Sequence, residues 1–331
     1  MTQSSSHLLV LSREDVRDLL GWDACIALVK DAMVTLSNRE TRQLPRSILG
    51  LGDGRAYGVM AGTVGEGAGF GAKLVSVYPE NLSRGLSSHQ GVVVLHEPMT
   101  GAPVCIADAS EVTRIRTAAA SAVATDVLAR RGAASLAILG YGHQAEAHAH
   151  AIARVREITD IRVWGRDAAK AAALAEQLSS ELGVPAGARP TVAEAVEGAD
   201  IVCTTTAAAE PILHASHLKP GAHVNLVGSS RAGPAEADVS VVVGSRFVAD
   251  CRENVILEGA EFRNAVAANA VTEDHIAAEI GEILGGARPG RTGDDELTVY
   301  KSLGHIVQDV AALRFLHDQA TAQGRGTLAI F

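Results

Sequence analysis

The chain has 331 residues, 47% hydrophobic, 3% aromatic and 20% charged, with a formal net charge of -9. That is long enough for two domains and apolar enough for large cores without covalent staples. The acidic balance and the lack of any long Lys/Arg run exclude nucleic acid and other polyanions as partners.

The N-terminal stretch "MTQSSSHLLV" lacks the basic start and long apolar run of a signal peptide. No segment reaches the roughly 18 apolar residues of a membrane span, so no membrane association is expected. Cys25, Cys105, Cys203 and Cys251 lie far apart and form no C-x-x-C pair. That spacing is neither a disulfide framework nor a zinc knuckle and predicts a cytoplasmic location.

Ser12 and Asp15 open the first predicted helix as a capping box with the shorter acid, and Val16, Leu19 and Leu20 share its apolar face. Ile26, Val29, Met33 and Leu36 recur at helical spacing and predict a second helix. From Leu44 to about Ile106, short apolar runs are broken by Gly, Pro and Asn, which predicts an antiparallel meander with "EPMTG" as a hairpin turn. A long Ala-rich helix is expected from Glu111, ending with Gly132 as its C′ glycine.

Beyond Gly132 the texture alternates. The strand "SLAILGYG" precedes a helix over 144–156, and the strand "IRVWGR" precedes a helix over 167–182 with Leu174, Leu178 and Leu182 on one stripe. Strands "DIVCTTT", "HVNLVGSS" and "RFVAD" follow. Such alternation predicts a parallel, doubly wound sheet. The last stretch, "ELTVYKSLGHIVQDVAALRFLHDQA", reads as a helix returning to the first domain.

Gly140, Gly142 and Ala145 spell G-x-G-x-x-A between a predicted strand and a predicted helix, the context that a dinucleotide-binding turn requires. Gly140 would allow the tight turn, Gly142 the approach of a pyrophosphate, and Ala145 close helix–strand packing. At the end of the next strand, Gly165 takes the place where an NAD-preferring unit offers an acid, and Arg166 follows it. A guanidinium there pairs with a 2′-phosphate, so the cofactor reading is NAD(P)H leaning to NADP. Asp167 keeps NAD open and reads equally as the N-cap of the next helix. His148 and His150, about 200° apart around a helix, lack the i, i+4 spacing of a metal pair. His214 and His217 have no nearby acid or thiol in sequence, so no metal is expected and the histidines read as solvated or helix-flanking.

Seven stretches then resemble the ornithine cyclodeaminase/μ-crystallin family, in family order over nearly the whole chain. They are "LPR" (44–46), "GAKLVSVYPEN" (71–81), "SHQG" (88–91), "RTAAASAVAT" (116–125), "ILGYGHQA" (138–145), "VNLVGSS" (224–230) and "KSLGHIVQD" (301–309). The resemblance implies an α/β fold in which a Rossmann-type doubly wound sheet is inserted into an α+β substrate-binding and dimerisation domain. The expected bounds are 1–118 with 300–331 for the substrate domain and 119–299 for the NAD(P)-binding domain. It also implies a homodimer and an active site between the two domains.

The same resemblance implies that Arg46, Lys73 and Arg116 surround a substrate carboxylate, with Lys73 and Arg116 catalytic. Two guanidinium forks and an ammonium suit a small anionic α-imino or α-amino acid, and Lys73 amid apolar residues suits proton transfer. Cofactor contacts are implied for Thr117, His143, Gln144, Thr204, Val227, Gly228, Ser229 and Ser302 as well as the glycine turn. His89 is expected to border the site. His305 stands where relatives often carry an apolar residue; it either faces the site, binding a second carboxylate or relaying a proton, or caps or packs a helix.

The chain departs from ornithine cyclodeaminases, which resemble it but use two carboxylates. "RAYGVMAG" before the Lys strand has no acid, and "GSSRAGP" places Ser229 and Ser230 where an Asp is expected. That departure favours the ketimine and imino-acid reductases of the family: hydride addition to a C=N bond beside a carboxylate, giving an L-amino acid. Candidate substrates are cyclic ketimines such as Δ1-pyrroline-2-carboxylate and open-chain imines such as iminosuccinate. The alternatives are a lyase on the same scaffold, either an ornithine cyclodeaminase or a hydroxyproline dehydratase, and a non-catalytic μ-crystallin-like binding protein.

Overall fold

The structure, a computed structural model, describes residues 7–65, 67–230 and 232–330. Residues 1–6, on which part of the signal-peptide expectation falls, lie outside the described residues. Contacts divide the chain into two compact units, Met1–Arg116 with His305–Phe331, and Thr117–Gly304.

The first unit begins with β1 (His7–Leu11), α1 (Arg13–Leu19) and α2 (Trp22–Ser37). Strands β2 (Ser47–Gly52), β3 (Arg55–Thr63), β4 (Phe70–Val77), β5 (His89–His96) and β6 (Pro103–Asp108) follow, and α3 (Ala109–Leu128) carries the chain onward. The second unit contains β7 (Ser135–Leu139), α4 (His143–Ile152), β8 (Asp160–Trp164), α5 (Ala168–Leu182), β9 (Ala186–Ala188), α6 (Val192–Val196) and β10 (Ile201–Thr204). It continues with β11 (His223–Leu226), α7 (Val239–Val243), β12 (Ser245–Ala249), α8 (Arg252–Glu258), α9 (Ala260–Ala267), β13 (Ile276–Glu279), α10 (Ile280–Leu284) and β14 (Leu297–Lys301). The chain then re-enters the first unit as α11 (Ile306–Gln323) and β15 (Thr327–Ile330).

In the first unit the sheet order is β15-β1-β6-β5-β4-β3-β2. Strands β2 to β6 pair antiparallel in sequence order, as the broken apolar runs predict. The turn between β5 and β6 is held by the Glu97 carboxylate, which accepts from the Met99 and Thr100 amides. Helix α11 packs on α2 and lies against β3, β4 and β5. At the N-terminus the Ser12–Asp15 capping box forms as predicted.

The second sheet has eight strands in the order β13-β12-β14-β11-β10-β7-β8-β9, paired in parallel throughout. The chain leaves β7 outward to β8 and β9, then returns to β10 on the other side of β7. That reversal puts a topological switch point at the carboxyl ends of β7 and β10, where open α/β sheets bind ligands. Leu136, Ala137, Ile138 and Leu139 of β7 are fully buried, as a parallel strand covered on both faces requires. The molecule is thus α/β, with a Rossmann-like parallel sheet interrupting an α+β unit.

Three expectations need correction. The stretch from Glu296 onward is not one helix, because Leu297–Lys301 is strand β14, sandwiched between β11 and β12. All of its residues from Thr298 to Lys301 are fully buried, and a run buried on both faces has no period that separates strand from helix. Helix α3 ends at Leu128. Gly132 lies beyond it, outside the set of positive-φ glycines, so it is not a C′ residue. Two outer strands, β1 and β15, pair with each other and extend the first sheet where no strand was expected.

Candidate active site

In the first unit, three elements bring charge to one place. On β4, Lys73 lies opposite Met60 of β3 and Val93 of β5, so its cross-strand neighbours are apolar and its side chain is 5% exposed. From α3, Thr113 and Arg116 approach it, and α11 supplies Gln308 and Asp309. Lys73 Nζ donates to Asp309 Oδ1 at 3.1 Å and Oδ2 at 3.2 Å, and to Thr113 Oγ1 at 3.1 Å. Arg116 Nε donates to Asp309 Oδ1 at 3.1 Å, and its NH1 to Gln308 Oε1 at 2.7 Å.

Two buried cations thus share one fully buried carboxylate. Burial pushes the Lys73 ammonium down to about 8, against the upward pull of Asp309 and with a further push from Arg116. Burial also works to raise Asp309, but the Arg116 and Lys73 charges outweigh it and hold the carboxyl below its ordinary value. The half-buried Arg46 bears electrostatically on both Lys73 and His305. His305 is itself 2% exposed and caps α11, its Nδ1 accepting from the Val307 amide at 3.1 Å. His89 sits at the start of β5, exposed, with Nδ1 3.0 Å from Ser88 Oγ. Asp309 was missed in sequence as a site residue; it closes the quoted stretch "KSLGHIVQD" but is 236 residues from Lys73.

The second unit carries the glycine turn. Gly140 has φ +132°, and a Cβ there would lie 2.5 Å from Thr205 Oγ1, so only glycine suits the turn. Gly142 is the N-cap of α4 and meets nothing within 4 Å on its Cβ side. Ala145 is fully buried beneath it, while His143 is exposed. An open glycine edge over the first amides of a ten-residue helix accommodates a diphosphate. Two buried hydroxyls in this unit, Thr117 Oγ1 and Ser302 Oγ, have no partner among the described residues, and such atoms call for a polar ligand. The residues present therefore fit a dinucleotide.

At the end of β8, a Cβ on Gly165 would run into the Tyr141 ring. Lys170 Nζ lies 5.8 Å from the centroid of that ring. Asp167 is committed as the N-cap of α5, accepting from the Ala169 and Lys170 amides at 3.1 Å each. Arg166 is exposed.

The loops after β10 and β11 rest on two buried acids that sequence reasoning passed over. Glu236 accepts from Thr204 Oγ1 at 2.6 Å, the Thr206 amide at 2.6 Å, Thr206 Oγ1 at 2.7 Å and the Gly228 amide at 2.6 Å. Burial raises its pKa against those bonds. Glu261 pairs with Lys301 at 2.7 Å and accepts from Ser229 Oγ at 2.6 Å, while Lys301 also donates to the Ser229 carbonyl at 2.6 Å. The hydroxyls of Thr204 and Ser229 are therefore turned inward, and so are their carbonyls, Thr204 O accepting from the Val227 and Gly228 amides and Ser229 O from Lys301, while Gly228 and Ser230 are exposed. Val227 is buried at 7% exposure. The signal available in sequence was a Lys inside an apolar strand and two acids in apolar surroundings.

The expectation of solvated histidines fails at His148, which is fully buried. Its Nε2 lies 2.9 Å from Ser121 Oγ and its Nδ1 2.7 Å from the Gln144 carbonyl. His214 meets an acid distant in sequence, with Nδ1 2.8 Å from Asp238 Oδ2. His150 pairs with Glu181 at 2.8 Å, and Glu146 stands within reach of both.

Comparison with known proteins is consistent over the whole chain. The sequence pattern of the Ornithine cyclodeaminase/mu-crystallin family matches residues 7–324. A Delta(1)-pyrroline-2-carboxylate reductase of Bacillus thuringiensis subsp. konkukian is 33% identical over 321 residues, 96% of this chain and 98% of that protein. The structure of Thermococcus litoralis Delta(1)-pyrroline-2-carboxylate reductase in complex with NADH and L-proline superposes with a TM-score of 0.94 at 31% identity, covering 97% of this chain and 99% of that one. The iminosuccinate reductase of Paracoccus denitrificans in complex with NAD+ superposes with a TM-score of 0.91 at 27% identity, covering 98% and 100%.

Proposed function

The chain belongs to the ornithine cyclodeaminase/mu-crystallin family, and from that premise we propose that it is an NAD(P)H-dependent reductase of an α-imino acid. The observation that carries this reading is the Lys73–Arg116–Asp309 cluster. Its one acid is ionised and engaged by two cations, so it is not a free base for activating water. What the cluster offers is a grip on an anion and an ammonium able to release a proton.

In this reading Arg46, Arg116 and Lys73 hold the substrate carboxylate, and Asp309 keeps Arg116 and Lys73 aligned. A bound NAD(P)H would supply the hydride that adds to the imine carbon. Lys73, its pKa lowered to about 8 by burial, delivers the proton to the imine nitrogen, and the product is the L-amino acid. Thr117, Ser302, His143, Gln144, Val227, Gly228 and Ser229 hold the cofactor over the Gly140–Ala145 turn, while the fully buried Thr204, engaged by Glu236 and by the Val227 and Gly228 amides, supports that loop from within. Ser230 and His89 border the substrate. The test is a panel of keto acids with ammonia or methylamine, and of cyclic imines, assayed with NADH and NADPH. Cofactor oxidation by at least one imine supports the reading. Ammonia release from ornithine without net change in nicotinamide absorbance overturns it in favour of a lyase, and no turnover of any substrate favours a binding protein.

The cofactor leans to NADP because Gly165 offers no acid, Asp167 is occupied as a helix cap, and Arg166 is exposed beside them. Arg166→Ala is expected to raise KM for NADPH by about 10-fold and KM for NADH much less. Equal changes for both cofactors contradict the assignment.

The protein acts as a homodimer through β2. This outer strand exposes Ile48, Leu49 and Leu51 at 54%, 62% and 44%, apolar side chains that an isolated subunit would leave in water. Sedimentation should find a dimer for the wild type and a monomer for Leu49→Asp; a monomeric wild type contradicts the proposal. No helix among the described residues is long and apolar enough to cross a membrane. The four free, buried cysteines support a cytoplasmic placement.

A further inference from the structure

We infer that Tyr141 sets the cofactor preference: its ring fills the space that an acid at position 165 needs, which closes the subsite to NAD-type recognition and leaves it to a phosphorylated ribose. The inference rests on reading the Gly140–Ala145 turn as a dinucleotide site, and it gives the lean to NADP a residue that enforces it.

The geometry begins at two neighbouring strand ends. Tyr141 stands between the two glycines that follow β7, and Gly165 follows β8 directly. The strands pair with Leu139 opposite Trp164, and the Gly140 amide donates to the Trp164 carbonyl at 2.8 Å. This bond carries the pairing past the strands and sets the glycine turn beside Gly165. A Cβ on Gly165 would overlap Cδ1 and Cε1 of Tyr141, since carbon atoms in contact lie about 3.5–4.0 Å apart. The overlap is at Cβ, the first atom of every side chain, so no rotamer of Asp or Glu avoids it. Gly165 is the residue that the Tyr141 ring requires.

This decides which charges the strand end can offer. In NAD-preferring units an acid there hydrogen-bonds the ribose hydroxyls, and here that acid has no room. The next carboxylate, Asp167, is already engaged. Its Oδ1 accepts from the Ala169 and Lys170 amides at 3.1 Å each, and its Oδ2 lies 3.7 Å from Lys170 Nζ. The remaining groups are cations. Arg166 is exposed, and Lys170 Nζ stands 5.8 Å from the centroid of the Tyr141 ring. Lys170 occupies the first turn of α5, where the helix dipole disfavours positive charge. The ring face and Asp167 offset that cost. One ring thus keeps a carboxylate out and an ammonium in. A guanidinium and an ammonium suit the dianion of a 2′-phosphate, whereas a bare ribose meets no free carboxylate from position 165 or 167.

The test measures Kd for NADH and NADPH by nicotinamide fluorescence, which needs no imine and therefore stands apart from turnover. Wild type, Gly165→Asp, Tyr141→Ala and the double variant complete a cycle. The wild type is expected to bind NADPH more tightly than NADH. Added to Tyr141→Ala, Gly165→Asp is expected to shift the affinity ratio toward NADH by about 100-fold, the size of one or two charge-assisted hydrogen bonds. With Tyr141 in place, the same change should shift the ratio by less than about 10-fold and weaken both cofactors. Equal shifts in the two backgrounds overturn the inference, as does a wild type that prefers NADH. Should Gly165→Asp alone fail to fold, folding of the double variant supports exclusion by the ring, and its ratio against that of Tyr141→Ala decides. A double variant that fails to fold where Tyr141→Ala folds shows another obstacle at position 165 and overturns the inference. A wild type that binds neither cofactor overturns the dinucleotide reading itself, and the inference with it.

Discussion

Arg116→Ala is expected to lower kcat/KM for the best imino acid by about 100-fold or more, and Lys73→Ala by a similar factor. Both residues are held in place before any substrate arrives. Arg116 is tied by Nε to Asp309 and by NH1 to Gln308, so its guanidinium has little freedom left to lose on binding. In the proposed clamp, removing it deletes a charge-assisted contact to the substrate carboxylate, and it leaves Asp309 with Lys73 as the other cation bonded to it. Lys73→Ala removes the proposed proton source as well as a cation. The two losses differ in their pH signature. Burial sets Lys73 at about 8, so wild-type kcat/KM should fall as pH rises through that value, when the ammonium loses its proton. Residual activity of Lys73→Ala should lack that limb, whereas Arg116→Ala should keep a limb of this kind. Asp309→Asn should weaken both cations' placement and lower activity as well. Variants of Arg116 and Lys73 that retain wild-type kcat/KM would contradict the carboxylate-clamp assignment.

Lys301→Met is expected to destabilise the protein by about 3–5 kcal/mol, and Glu261→Gln by a comparable amount, measured by denaturant unfolding. Both side chains are fully buried, and they are joined at 2.7 Å. Each single change strands the opposite charge in the interior, where Ser229 supplies only neutral hydrogen bonds. The double variant Lys301→Met with Glu261→Gln removes both charges and should cost clearly less than the sum of the single effects. Strict additivity, or single losses below about 1 kcal/mol, would show that the pair does not hold the loop from Val227 to Ser230 in place. Because that loop follows β11 at the sheet's carboxyl edge, the single variants should also bind NAD(P)H more weakly.

Much of the scaffold was legible because it is written locally. The Ser12–Asp15 capping box, the broken apolar runs from Leu44 to Ile106, and the strand–glycine–helix sequence at Gly140 each depend on residues within a few positions of one another. The site was legible to the extent that its cations carry motifs. Its counter-ion was not. Asp309 becomes a site residue only when α11 packs beside β4, and nothing local to "VQD" announces that. The same holds for Lys301, which meets Ser229 from 72 residues away. Strand β14 was hidden for a different reason. Its full burial erases alternation, and the apolar pattern runs on through Leu303 into α11. His148 misled because its helical position was read without the Ser121 hydroxyl that meets it across a neighbouring element.

The most direct test of the central claim uses NAD(P)H carrying deuterium at the transferred C4 position. With the best imino acid, the account predicts that the L-amino acid formed carries a single deuterium on its α-carbon and that the oxidised cofactor accumulates in equal amount. An unlabelled product, with ammonia released and no net consumption of cofactor, would contradict it.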